Sequence, residues 1–142
     1  MSDRVFFDTN IFVYTFDTKA PAKAQIAKRL IAEALQTGMG MISFQVVQEF
    51  FNVALKNFTP VFTPDDAQRY FAMVFHPLLA VHSSPALYHQ ALQFKSRYKF
   101  SWYDSLIVAG AAEGECDKLL SEDMQHGRKI DRLRIENPFL PK

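Results

Sequence analysis

Short runs rich in β-branched or aromatic residues alternate along this chain with longer segments of helical period, and this alternation constrains the fold more than any other feature. Val5-Phe6-Phe7 stops at Asp8-Thr9-Asn10, which is turn and cap chemistry, so it reads as a buried first strand with Asp8 at its carboxyl end. From Pro21 to Thr37, Ala24, Ala27, Lys28, Leu30, Ile31, Ala34 and Leu35 follow helical spacing, and Gly38 is placed to end the helix. Met39 to Ile42 reads as a second strand, with Ser43 as N-cap of a helix running through Glu49 to about Lys56. Thr63-Pro64-Asp65-Asp66 opens another helix, and Leu78 to His82 reads as a third strand. Ser84-Pro85 opens a helix through about Arg97, and Ser101 precedes one from Trp102 to about Glu113, ended by Gly114. Lys118 to Ser121 reads as a fourth strand leading into Glu122-Asp123, and Leu133 to Glu136 as a fifth.

Such alternation predicts an α/β fold, with a mostly parallel central sheet of about five strands covered on both faces by helices. Ligands of these sheets collect outside the carboxyl ends of the strands. Asp8 and Asp123 fall at that edge, and Glu49 and Asp104 fall on helices able to lean over it. A chain of 142 residues with 49% apolar content and 14 Phe fits one domain, residues 1–142, with a packed core. Its apolar runs are too short to span a bilayer, and Met1-Ser2-Asp3-Arg4 starts no secretory leader. A soluble, cytoplasmic protein is therefore expected, without a membrane partner.

The four acids differ in what marks them. Asp8 at a strand end has an ordinary alternative, since Asp readily stabilises turns. Glu49 sits on a helix that is apolar nearly all round, with Val46, Phe50 and Val53 on its own stripe and Val47, Phe51, Ala54 and Leu55 on the opposite flank. A carboxylate in that setting needs something positive or hydrogen-bonding to receive it. Asp104 has Ile107, Val108 and Ala111 on its face, although Ser101-Trp102-Tyr103-Asp104 also resembles a helix-capping arrangement. Asp123 lies in a Ser-Glu-Asp turn, where either acid suits a solvated loop.

Several carboxylates gathered at one edge repel each other unless a divalent cation holds them ionised. All-oxygen donors suit Mg²⁺ or Mn²⁺. Zinc is not expected: Cys116 is the only cysteine, and His76, His82, His89 and His126 have neither HExxH nor zinc-ligand spacing. A metal held this way activates water and steadies a phosphodiester for in-line displacement, so hydrolysis of a nucleic acid backbone is the expected chemistry. Setting the four acids aside leaves 11 acidic against 16 basic residues, a mildly basic body that suits a polyanion.

Four blocks of this sequence, in order and across essentially its whole length, resemble the PIN-domain ribonucleases, particularly the VapC-like toxins of bacterial toxin–antitoxin pairs. Val5-Phe6-Phe7-Asp8-Thr9-Asn10-Ile11 is similar to the family's opening strand and first acid, and Ser43 with Glu49 to its second block. Trp102-Tyr103-Asp104-Ser105-Leu106-Ile107 is similar to the third, and Leu119-Leu120-Ser121-Glu122-Asp123 to the fourth. The resemblance implies a three-layer α/β/α sandwich, Mg²⁺ or Mn²⁺ dependence, cleavage of single-stranded or loop RNA, a homodimer and a small antitoxin partner. It also implies that Asp8, Glu49, Asp104 and Asp123 hold metal, with Asn10, Ser43 and Ser121 in support. Glu122 is an extra acid beside the fourth position, so which of Glu122 and Asp123 serves there, and whether one or two ions bind, stay open.

Lys95, Arg97 and Lys99 interleave with Tyr98, Phe100 and Trp102, and Arg128 and Lys129 follow Asp123. These groups are candidates for holding phosphates and stacking bases, and equally for a solvated helix end with ordinary core aromatics. Phe50, Phe51, Phe58, Phe62, Phe71 and Phe75 are expected mainly in the core, with some available for a dimer or antitoxin groove. His126 is expected to be structural or solvated rather than a substrate contact. Two other functions compete with RNA cleavage. One is a non-catalytic RNA-binding scaffold, and the other a metal-dependent phosphatase with Asp8 as nucleophile, which wants an acid where Asn10 stands.

Overall fold

The computed structural model describes residues 3–141. Strand β1 (Val5–Phe7) is followed by helices α1 (Thr9–Tyr14) and α2 (Pro21–Thr37), strand β2 (Gly40–Ser43) and helix α3 (Phe44–Asn57). Helix α4 (Pro64–Tyr70) continues through a π-helical turn, Phe71–Phe75, into the short α5 (His76–Leu78) and strand β3 (Leu79–Val81). Helices α6 (Pro85–Tyr98) and α7 (Trp102–Glu113) then precede β4 (Lys118–Leu120), β5 (Lys129–Ile130) and β6 (Leu133–Glu136). Among the described residues no helix is long and apolar enough to cross a membrane.

The strands form one sheet in the order β3-β2-β1-β4-β6-β5, parallel except for β5, which runs antiparallel to β6. The sheet therefore has six strands rather than about five. The additional one arises because Asp131 takes a left-handed φ of 55°, which closes a two-residue hairpin pairing Ile130 with Leu133. A strand of two residues carries no alternation for sequence to display. Helix α1 is the other element absent from the sequence reading. The cap chemistry of Asp8 does not end the chain's regular structure there; it starts a six-residue helix.

Phe6 and Phe7 show why the molecule has three layers. Successive side chains of a strand point to opposite faces, and both rings are buried. A Cβ on Gly110 of α7 would stand 3.4 Å from the Phe6 ring, whereas one on Gly40 would stand 3.2 Å from the Phe7 ring and 2.5 Å from the Ala34 Cβ of α2. So α7 covers the Phe6 face and α2 the Phe7 face. Helix α2 buries Ala24, Ala27, Ile31 and Ala34 and stops where Gly38 adopts a φ of 72°. Helix α4 opens on a reciprocal cap, in which Thr63 Oγ1 accepts from Asp66 N (3.1 Å) and Asp66 Oδ2 from Thr63 N (2.9 Å).

Most of the phenylalanines go into the core. Phe50 and Phe75 are fully buried and Phe62 nearly so, while Phe51, Phe58 and Phe71 are half-buried against them. The Phe50 ring stacks on Tyr70 at 5.0 Å and meets Phe75 edge-on at 5.2 Å.

Candidate active site

The sheet places its topological switch point beside Asp8. From β1 the chain proceeds to β2 and β3 on one side, and only later to β4 on the other, so the strand order reverses between β1 and β4. Asp8 leaves β1 there, its backbone N–H bonded to Leu120 O at 3.0 Å. Its Oδ1 accepts from Thr9 N (2.7 Å), which caps α1, and its Oδ2 accepts the Ser121 hydroxyl (2.7 Å). Burial drives the Asp8 carboxyl up to about 7. The bonds from Ser121 and Thr9 oppose that rise, and the charges of Glu49 and Asp104 add to it.

Glu49 lies on the flank of α3, half-buried, beside a core face made by Val46, Phe50 and Ala54. The helix is less uniformly apolar in its surroundings than its sequence suggests, because Leu55 is 45% exposed. Glu49 Oε1 accepts from Thr9 Oγ1 (2.6 Å) and Oε2 from Gln45 Nε2 (3.1 Å). Asp104 occupies the first turn of α7, where its backbone N–H donates to Ser101 Oγ (3.1 Å). The capping role anticipated for this segment is thus met through the Asp104 backbone. The carboxyl is raised by burial and by the charges of Asp123 and Glu49, against the Ser101 hydroxyl, which lowers it.

The Ser-Glu-Asp turn separates its two acids. Asp123 accepts from Asn10 Nδ2 at 3.1 Å, and its backbone N–H donates to Ser121 Oγ at 3.2 Å. Glu122 turns the other way, accepting from Lys23 Nζ at 2.5 Å and from the Tyr14 hydroxyl. Burial acts to raise its carboxyl, but Lys23 and Tyr14 prevail and hold it below the usual range. Asn10 bridges the turn, since its Oδ1 accepts from Glu122 N (3.4 Å).

Asp8 thus feels the charges of Glu49 and Asp104, Asp104 feels those of Asp123 and Glu49, and among the described residues none of the four acids forms a salt bridge with a basic group. No three His, Cys, Asp or Glu side chains of the described residues converge closely enough to hold a metal ion. The donor set nonetheless fits a hard divalent cation: four carboxylates, mutually repelling, with uncompensated burial at Asp8.

Ser43 is buried at the β2–α3 junction, but its hydroxyl has no hydrogen-bond partner and does not cap α3. The basic candidates gather at the α6–α7 corner that leads into Ser101. The Arg128 guanidinium lies 4.6 Å from the Phe100 ring centre and donates to Tyr98 O at 3.0 Å, and Arg97 lies 5.3 Å from the Tyr98 ring. Lys95 is committed to Phe100 O (3.1 Å), Lys99 forms the left-handed cap of α6, and Lys129 is exposed on β5. His126 is structural, its Nδ1 accepting from Asn137 N at 2.9 Å. Sequence reasoning missed Thr9, Gln45, Tyr14 and Lys23. Gln45 carried a signal, being four residues before Glu49 and hence on the same helical face.

Four carboxylates near the switch point of a doubly covered, mostly parallel sheet, with no basic partner among the described residues, define an α/β protein with an acidic site. The PIN domain model matches residues 5–132, and the chain belongs to the PIN-domain family. Among solved structures it is similar to a toxin–antitoxin complex from Klebsiella pneumoniae, with 20% identity and a TM-score of 0.68 over 95% of this chain and 98% of that one. It is similar also to VapBC2 from Rickettsia felis, bound to a DNA fragment from the promoter, with 16% identity and a TM-score of 0.67 over 94% and 97%. A third is VapC20 of Mycobacterium tuberculosis, described as a Sarcin-Ricin loop cleaving toxin, with 20% identity and a TM-score of 0.63 over 84% and 89%. At such identities the likeness is one of fold. No curated protein matches the sequence.

Proposed function

We propose that residues 1–142 form one nuclease unit, a Mg²⁺- or Mn²⁺-dependent endoribonuclease that cuts single-stranded or loop RNA and acts as the toxin of a toxin–antitoxin pair. The observation that carries this reading is the cluster of Asp8, Glu49, Asp104 and Asp123 at the sheet's switch point without a cationic partner among the described residues. Those four side chains would hold the cation. When bound, it supplies the positive charge that makes a water acidic and offsets charge on the phosphodiester.

The chain's own groups do the rest. Asp8 is anchored by Ser121 and Thr9, and Glu49 by Thr9 and Gln45, so Thr9 ties the first two acids to each other. Asn10 aims Asp123 and leaves Glu122 to Lys23. Arg128 and Arg97, which lie against Tyr98 and Phe100, are the groups assigned in this reading to hold phosphate and support an unpaired base.

The partner is a small antitoxin. A groove of about 960 Å³ between the α1–α2 corner and the α3–α4 loop exposes Phe16, Val61 and Met73, large apolar surface that suits a peptide segment. The toxin–antitoxin complex and VapBC2, which share this fold, support an antitoxin partner; a homodimer in the cytoplasm is part of the same proposal. The test is cleavage of a labelled single-stranded RNA by purified protein with Mn²⁺ or Mg²⁺. Cutting should disappear with chelator and in Asp8→Asn and Asp104→Asn. RNA binding without cutting by partner-free wild type would favour a scaffold instead.

A further inference from the structure

Gln45 is buried, with 4% of its surface exposed. Its Nε2 carries two hydrogens and meets two acceptors, Glu49 Oε2 at 3.1 Å and the Tyr103 carbonyl at 3.0 Å. The Tyr103 carbonyl cannot donate, so the amide has a single orientation; flipped, it would set oxygen against that carbonyl oxygen. Its Oε1 is left buried with no hydrogen-bond partner. An apolar side chain of the same length would remove that orphan but would also leave Glu49 Oε2 and the Tyr103 carbonyl without the amide's two hydrogen bonds.

The two bonds join separate parts of the site. The Tyr103 carbonyl immediately precedes Asp104, so the amide ties α3 to the turn that carries the third acid. On the opposite side Thr9 donates its hydroxyl to Glu49 Oε1 and its backbone N–H to Asp8 Oδ1. Both oxygens of Glu49 are thus held by groups attached to, or adjoining, the other two acids. Carboxylates brought this close repel, and an untethered Glu49 would swing toward solvent.

We propose that Gln45 is a positioning residue that holds Glu49 in register with Asp104 for the divalent cation; the inference rests on the metal-dependent nuclease reading above. It acts through Glu49 and does not touch the ion. Its effect must therefore depend on the Glu49 carboxylate being present.

The experiment measures Mn²⁺ affinity by calorimetry on the full chain, purified free of RNA and other proteins, for wild type, Gln45→Met, Glu49→Gln and the double variant. Gln45→Met should weaken Mn²⁺ binding about 10- to 100-fold, the usual effect of losing a group that orients a ligand. In the Glu49→Gln background the same change should cost less than about 2-fold, as expected when the coupled partner is gone. Unchanged affinity in Gln45→Met, or equal losses in both backgrounds, overturns the proposal. Gln45→Asn is the companion variant: it keeps a buried amide but is one methylene too short to span both acceptors, and wild-type affinity there overturns the proposal as well. Wild type that binds no Mn²⁺ overturns the metal-nuclease reading and this inference with it. Wild type that binds, with Gln45→Met binding equally, overturns this inference alone.

Discussion

Ser121 donates its hydroxyl to Asp8 Oδ2 across 2.7 Å, which bonds the acid at the end of β1 to the residue that follows β4. Asp8 is only 6% exposed, and this burial pushes its carboxyl up to about 7.

That shift has a sign. With a folded-state pKa of about 7 against 3.8 unfolded, Asp8 favours folding fully below about pH 4, and this contribution is lost as pH rises through about 7. About three units correspond to roughly 4 kcal/mol at most. Urea unfolding of metal-free protein should show wild-type stability falling relative to Asp8→Asn by about 2 to 4 kcal/mol between pH 4 and pH 8. A constant difference between the two proteins would contradict the assignment. At pH 8, Mn²⁺ should raise the wild-type Tm and leave that of Asp8→Asn nearly unchanged.

Asp104 and Glu122 are both acids near the sheet's switch point, yet among the described residues only Glu122 pairs with a cation, Lys23. Asp104→Asn should lower RNA cleavage by on the order of 100-fold or more, because a group that holds charge at the reacting centre is lost. Glu122→Gln should leave cleavage within about 3-fold, since its carboxylate is engaged by Lys23 and Tyr14 in a partly exposed pair. Matched single-turnover assays on one RNA distinguish the two, and equal losses would place Glu122 in the cation's cage.

The alternation of apolar runs and helical period was enough to read the α/β class, the parallel β1, β2, β3, β4 and β6, and the position of Asp8 at a strand end. The N-terminal signals at Pro21, Thr63, Ser84 and Ser101 were legible because capping is local chemistry, written in adjacent residues. Helix α1 and strand β5 were not, since six and two residues are too few to show a period. Within the site, Asp8, Glu49 and Asp104 were marked as candidates by their settings and Asp123 by the family resemblance, while the tethers of all four were not legible. Thr9 reaches Glu49 across 40 positions and Lys23 reaches Glu122 across 99, and pairings that distant follow from the strand order alone. Ser43 shows the converse: its type and place suited a supporting role, but its hydroxyl turns to no partner.

The aromatic cluster around Phe50 sets a second scale for stability. Phe50 is fully buried and its ring meets those of Phe16, Phe51, Phe58, Phe62, Tyr70 and Phe75. Phe50→Ala should cost about 3 to 5 kcal/mol in urea unfolding, the range for emptying a packed aromatic site. Leu55, on the same helix but 45% exposed, provides the control. Its change to Ala should stay within about 0.5 kcal/mol.

Gly40 and Gly110 are both glycines against the sheet, and they should respond in opposite directions to a methyl group. A Cβ at Gly40 would stand 2.5 Å from the Ala34 Cβ, so α2 would have to lift off β2. Gly40→Ala should therefore destabilise by about 1 to 3 kcal/mol, the cost of overpacking. At Gly110 the nearest atoms are the Phe6 ring at 3.4 Å and Ser43 Cβ at 3.5 Å, ordinary contact distances. Here Gly110→Ala should gain about 0.5 to 1 kcal/mol from the reduced backbone entropy of the unfolded chain. The pair separates packing from function too. Strand β2 leads directly into α3, so a shift there moves Gln45 and Glu49, and Gly40→Ala should lose RNA cleavage even at temperatures where thermal denaturation shows it folded. Gly110→Ala should cleave like wild type; a loss of activity without a loss of stability would mean that α7 cannot carry Asp104 with a methyl group in this seat.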